Sequence, residues 1–322
     1  MHLLLENLLS PVVLCFALGV IARLIRSDLS VPESIYQGLS IYLLFAIGLK
    51  GGAVLAVTPL SEFWLPALVT IGLGAVTPVI AWFLVRKIAR LGRVDSAAIA
   101  AHYGSVSVVT FLAVGEAVRR VGMPAEGFLP ALVALLEVPG IIVALLFAQQ
   151  ARGDQPNKSG SSALHEVLTG KSILLLLGGL VIGVLSGPER LIGVQPFFTS
   201  AFQGALCLFM IELGLITGAR LPDIRFAGLR LALLGCFIPI IHGALGVAAG
   251  LLAGLSPGGS AVLGAMAGSA SYIAAPAAVR VALPDANPGY YLTLALGITF
   301  PFNLAFGIPL YIKFAEWFSI YL

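Results

Sequence analysis

The sequence predicts an all-α integral membrane protein of ten transmembrane helices in two inverted five-helix repeats, with the fourth and ninth spans broken at mid-membrane. Three observations carry that reading: an extreme apolar composition, ten apolar runs of spanning length, and a glycine-serine quartet that recurs 164 positions later. Hydrophobic residues make up 59% of the 322 positions and charged residues only 10%, at a mean hydropathy of +1.03. Soluble domains carry about 25% charged residues. The 37 glycines and 19 prolines, awkward in a soluble helical core, are tolerated in membrane helices. A scattered net charge of +3 is no footprint for nucleic acid. Cys15, Cys207 and Cys236 lie in apolar runs without CxxC spacing, which marks them as packing residues.

Crossing a hydrocarbon layer about 30 Å thick takes about 20 apolar residues. Ten stretches supply them, near 8–25, 34–57, 63–87, 95–118, 127–150, 171–187, 197–219, 225–254, 258–281 and 289–319. The first lacks a basic flank and a small-x-small cleavage site, so it reads as a span and not as a cleavable signal. One clearly hydrophilic connector, Ala151 to Gly170, divides the chain into a first repeat over 1–150 and a second, inverted repeat over 171–322. With the N-terminus outside, the inner connections hold thirteen of the 18 basic residues. These are Arg23, Arg26, Arg86, Lys87, Arg90, Arg93, Arg152, Lys158, Lys171, Arg220, Arg225, Arg230 and Arg280. The outer side holds five: Lys50, Arg119, Arg120, Arg190 and Lys313. The excess places both termini outside the plasma membrane and the connector in the cytoplasm. Lys50, Arg119 and Arg120 are expected to snorkel to the interface.

Laying position 104 on position 268 aligns Gly104-Ser105-Val106-Ser107 with Gly268-Ser269-Ala270-Ser271. Leu44-Phe45-Ala46-Ile47 aligns with Leu208-Phe209-Met210-Ile211 at the same offset, and Pro139 in the fifth span roughly matches Pro301 in the tenth. Glycine weakens a helix, and neighbouring hydroxyls satisfy the freed backbone groups, so each quartet predicts a break. Five spans per repeat is an odd number, which inserts the second copy upside down and brings the two breaks face to face. Backbone N–H groups and positive helix ends then favour an anion. The expected substrate-binding residues are therefore Gly104, Ser105, Val106, Ser107, Gly268, Ser269, Ala270 and Ser271. No lysine or arginine lies near either quartet at mid-span, as suits a carrier that must release its load. The competing explanation is that small residues merely let helices pack closely.

Ala98-Ile99-Ala100-Ala101-His102-Tyr103-Gly104-Ser105-Val106-Ser107 resembles the fourth span of the sodium-dependent bicarbonate transporters best known from cyanobacteria. The tail resembles them as well, through Gly268-Ser269-Ala270-Ser271-Tyr272-Ile273-Ala274-Ala275-Pro276, Leu283-Pro284-Asp285-Ala286-Asn287-Pro288 and Gly297-Ile298-Thr299-Phe300-Pro301-Phe302-Asn303. The resemblance covers nearly the whole chain. It implies a sodium-coupled bicarbonate symporter with a core domain moving against a gate domain, assembled as a homotrimer, with sodium as coupling ion and no organic cofactor. Cyanobacterial members have a longer central connector that takes part in regulation by a PII-like protein. The short connector here departs from that pattern and weakens the case for such a partner.

A sodium site needs oxygen ligands inside the membrane. Glu137 is an acid in an apolar run, where a charge costs about 2.5–3.5 kcal/mol on insertion scales. Asn303 lies close to the repeat-related position, and Thr110 and Thr299 add hydroxyls, so Thr110, Glu137, Thr299 and Asn303 are the expected sodium ligands. Secondary candidates are His102, Tyr103, Glu212 and Tyr272. His102 precedes Ser105 by one helical turn, the spacing of a base and nucleophile in an intramembrane hydrolase, although no third acid stands nearby in sequence. Another small monoanion as cargo, and a passive channel, complete the alternatives. Sodium coupling itself has a physical reason: moving a monoanion into a negative interior costs about 2.3 kcal/mol per 100 mV, which one accompanying sodium ion cancels.

Overall fold

The computed structural model describes Leu5, residues 7–152, His165 and residues 169–322, and every regular element among them is helical. Most of the expected connector, with Lys158 and any regulatory docking there, lies outside the described residues. Seven helices are long and apolar enough to cross a membrane: Glu33–Leu55, Leu60–Ala89, Arg93–Arg120, Lys171–Arg190, Phe202–Asp223, Leu229–Leu252 and Pro288–Phe318. The other three expected spans take different forms. The first is α1, Pro11–Leu24, a 14-residue helix started by the Ser10 hydroxyl, which accepts from the Val13 N–H, and by Pro11 at its first position. The fifth is Leu129–Arg152, which carries Pro139 inside it. The ninth is two short helices of 11 and 9 residues, Pro257–Ala267 and Ala274–Ala282.

In chain order the remaining elements are α2 (Glu33–Leu55), α3 (Leu60–Leu84), α4 (Arg93–Tyr103), α5 (Val108–Arg120), α6 (Leu129–Arg152), α7 (Lys171–Arg190) and α8 (Phe202–Arg220). The chain continues through α9 (Leu229–Leu252), α10 (Pro257–Ala267), α11 (Ala274–Ala282) and α12 (Pro288–Phe318), the last wound partly in wider π turns. One span-length stretch, Arg93–Arg120, thus contains two helices, with residues 104–107 between them in neither.

Two helix pairs fit together through glycine. A Cβ on Gly19 of α1 would lie 2.0 Å from the Ile211 carbonyl of α8, and one on Gly214 would lie 2.2 Å from the Phe16 carbonyl. A Cβ on Gly48 of α2 would lie 2.3 Å from the Leu176 carbonyl of α7, and one on Gly52 would lie 2.0 Å from that of Leu180. Gly214 packs on Gly19 and Gly218 on Arg23, as Gly48 and Gly52 pack on Leu176 and Leu180, so position rises with position along both seams and each pair runs parallel. With no hydrophobic drive between helices in lipid, such backbone-to-backbone fit supplies the packing. Of the remaining long helices, α6 and α12 meet these pairs, α3 and α9 pack on the rest of the bundle, and the short helices α4, α5, α10 and α11 pack among them.

A second pair of matching positions appears where helices meet the interruptions. Leu73-Gly74 precedes Pro78 in α3 as Leu234-Gly235 precedes Pro239 in α9. A Cβ on Gly104 would lie 2.9 Å from the Pro78 Cβ, and a Cβ on Gly268 would lie 2.7 Å from the Pro239 carbonyl. Each interruption therefore rests on the proline of one long helix. Gly140 of α6 leaves no space at all: a Cβ there would lie 1.7 Å from the Gly104 carbonyl oxygen.

Candidate functional site

Helix α4 closes with the Gly104 N–H donating to the Ala100 carbonyl at 2.8 Å, and α5 restarts at Ser107, whose hydroxyl accepts from the Thr110 N–H at 3.2 Å. Helix α10 closes in the same way, Gly268 N–H to Gly264 carbonyl at 2.8 Å, and the Ser271 hydroxyl accepts from Ala275 N–H in α11 at 3.4 Å. A serine therefore sits at the start of each restarting helix because its short side chain satisfies a backbone donor that the helix leaves open. The interruptions are also tied to each other. Ser107 N–H donates to the Ser269 hydroxyl at 2.8 Å, and Ser271 N–H donates to the His102 carbonyl at 2.8 Å. The Ser269 hydroxyl in turn donates to the Met266 carbonyl at 2.7 Å.

A small cavity of about 10 Å³ lies at this junction, lined by Val106, Ser107, Val108, Glu137, Ser172, Ser271, Tyr272 and Ile273. The starts of α5 and α11 thus face one space, with the Glu137 carboxylate of α6 on the same wall. Glu137 is 1% exposed, and its Oε2 has no hydrogen-bond partner among the described residues. The Ser105 and Thr110 hydroxyls are likewise buried without partners. Buried polar groups are nearly always satisfied, so unfilled oxygens beside two helix starts are the features of a site that holds something polar.

The expected anion residues divide by role. Val106, Ser107 and Ser271 line the cavity. Gly104 and Gly268 are the close-approach points, Ser269 ties the two interruptions together, Ala270 is buried, and Ser105 is buried beside them. Among the expected sodium residues only Glu137 reaches the cavity wall. Thr299 bonds to the Tyr103 hydroxyl at 2.6 Å and donates to the Gly235 carbonyl at 2.8 Å. Asn303 donates to the Gly268 carbonyl at 2.9 Å, and its own carbonyl lies 2.7 Å from the Tyr311 hydroxyl. Thr299 and Asn303 accordingly brace α9 and the second interruption.

Tyr272 is on the cavity wall, its ring 5.4 Å from that of Phe300, which meets Phe16 of α1 at 5.2 Å. Glu212 stands apart from the cavity, near Val31 and Glu33. His102 directs Nδ1 to the Ala98 carbonyl at 2.7 Å and stacks on Tyr291 at 4.5 Å. Its other ring nitrogen and the Ser105 hydroxyl both lack partners among the described residues, so the two do not form a base-nucleophile pair. Arg119 and Arg120, expected to snorkel, pair with Glu116 at 2.8 and 2.7 Å. Lys50 sits 4.3 Å over the Phe202 ring. Ser172, Gly140 and Tyr311 escaped the sequence reading because their roles depend on which distant helix they meet.

Long apolar helices around a small, largely buried polar centre define a multi-pass membrane protein. Residues 11–316 match the Na+-dependent bicarbonate transporter superfamily, and the chain belongs to it. Membership makes the protein a transporter and not an enzyme, and implies sodium as the coupling ion. No curated protein matches the chain.

Proposed function

We propose that the protein imports bicarbonate by sodium symport, with the anion held at the starts of α5 and α11 and sodium beside Glu137. The observation that carries this reading is the one cavity that Ser107, Ser271 and Glu137 share. Each helix start presents roughly half a positive charge and unpaired N–H groups, which suits a monoanion. Glu137 supplies the negative partner that a hard cation prefers, and the unpartnered Thr110 hydroxyl, one turn along from Ser107, supplies a further oxygen. Carboxylate, sodium, anion and helix ends alternate in sign, so each ion lowers the cost of burying the other.

The cavity has room for about one water molecule, too little for a three-oxygen anion with a sodium ion. Loading therefore requires the walls to part, and Ser172 at the start of α7 is the lining residue that belongs to a glycine-seamed pair. We take the α1/α8 and α2/α7 pairs as the gate domain and the remaining helices as the core domain that carries the interruptions. Two parallel seams, each joining a helix of the first half to one of the second, support ten spans in inverted repeats over 1–150 and 171–322. So do the Gly74/Pro78 and Gly235/Pro239 pairs. A homotrimer in the plasma membrane with both termini outside completes the proposal; it rests on the resemblance and the lysine and arginine distribution.

The test is uptake of labelled bicarbonate into proteoliposomes at fixed pH, with and without an inward sodium gradient. Gradient-dependent accumulation is the expected result, and equal uptake in both conditions overturns the reading. Competition by unlabelled small monoanions in the same assay decides how narrow the cargo is.

A further inference from the structure

Glu116, near the end of α5, is a buried acid that the cavity does not use. It is 7% exposed, and its oxygens accept four hydrogen bonds. Arg119 supplies two of them, at 3.1 and 2.8 Å, and Arg120 supplies one at 2.7 Å, all from the next turn of the same helix. The fourth comes from Gln203 Nε2 at 2.9 Å, in the first turn of α8 and 87 positions away in sequence. That bond joins the helix restarting from the first interruption to a helix of the glycine-seamed set.

The contact around it is not tightly packed. A cavity of about 340 Å³ lies between α1, α5 and α12, with Ser10, Val13, Glu116, Arg120, Pro309 and Ile312 among its walls. A second polar bond spans the same region, from the Asn7 side chain to the Leu304 carbonyl at 2.5 Å. Polar bonds across a cleft, unlike interdigitated apolar side chains, break and reform without leaving a new void. A carboxylate already held by two arginines stays charged and paired when its fourth donor leaves.

We infer that Glu116 and Gln203 are positioning residues that form a latch, holding the two helix sets together at the end of the bundle assigned to the outside. Its release opens the path to the anion. The inference rests on the transport reading for the movement it controls, and the chain carries its own reporter. Cys207, one turn after Gln203 in α8, is a part-buried free thiol close to Cys15 of α1, Glu116 and Arg120.

The experiment uses the full chain in membrane vesicles with Cys15→Ser and Cys236→Ser, and reads the rate at which a membrane-impermeant thiosulfonate modifies Cys207. Gln203→Glu keeps the size and sets a like charge against Glu116. It should raise the rate from the outer face about tenfold, the scale of one lost bond to a charged group, and leave the rate from the inner face unchanged. Gln203→Met removes the donor without adding charge and should act in the same direction more weakly; it decides the matter if Gln203→Glu does not reach the membrane. An unchanged rate, or a rise from the inner face equal to or above that from the outer, overturns the latch. Sodium-driven bicarbonate uptake by the unaltered protein is measured in parallel. A latch-dependent rate without such uptake supports the latch and removes the transport reading, whereas normal uptake with a flat rate removes the latch alone.

Discussion

The Ser269 hydroxyl donates to the Met266 carbonyl and accepts from the Ser107 N–H, so one small side chain fixes where α5 begins. Ser269→Ala removes the crossing bond at a cost of about 0.5–1.5 kcal/mol and frees the α5 start. The expected outcome is a bicarbonate KM raised several-fold with protein still in the membrane, read from concentration-dependent uptake. Glu137→Gln keeps the shape and deletes the charge. Uptake should lose its dependence on sodium; an unaltered sodium activation curve would remove Glu137 from the ion site. Sequence exposed both residues, the serine because it repeats and the acid because it is isolated in apolar surroundings. It did not expose that Ser269 bonds to Ser107 across the two interruptions, since that depends on a chain segment 162 positions away.

At the scale of elements, the glycines that matter are those whose missing Cβ another backbone occupies. Gly140→Ala would drive a methyl to 1.7 Å from the Gly104 carbonyl oxygen, an overlap that only displacement of α6 or of the interruption relieves. A loss of at least about 1–3 kcal/mol is expected, seen as a lowered melting temperature in detergent. Gly178→Ala is the control, because nothing lies within 4 Å of its added carbon, and its effect should stay within about 0.5 kcal/mol. In the sequence these two glycines look alike. Apolar run length located the long helices within a few residues, but α1 and the halves of the ninth span are shorter than a bilayer-spanning helix. Composition does not register where a buried helix may stop.

Over the whole molecule, the proposed transport of an anion larger than the cavity of about 10 Å³ requires the seamed helices and the rest to part and rejoin. Ser172→Trp places bulk on the α7 side of that cavity and should stop uptake while leaving membrane insertion intact; normal uptake would show that the space is not on the path. The amino-acid sequence by itself determined that the chain is helical and membrane-embedded and that two quartets interrupt it, because apolar run length and glycine-serine chemistry act locally. Only the tertiary structure decided that Glu137 joins the two helix starts, that Thr299 and Asn303 brace the frame, and that Glu116 reaches α8. Those are distances between segments far apart along the chain, fixed by how helices fit through glycine, and no local pattern records them.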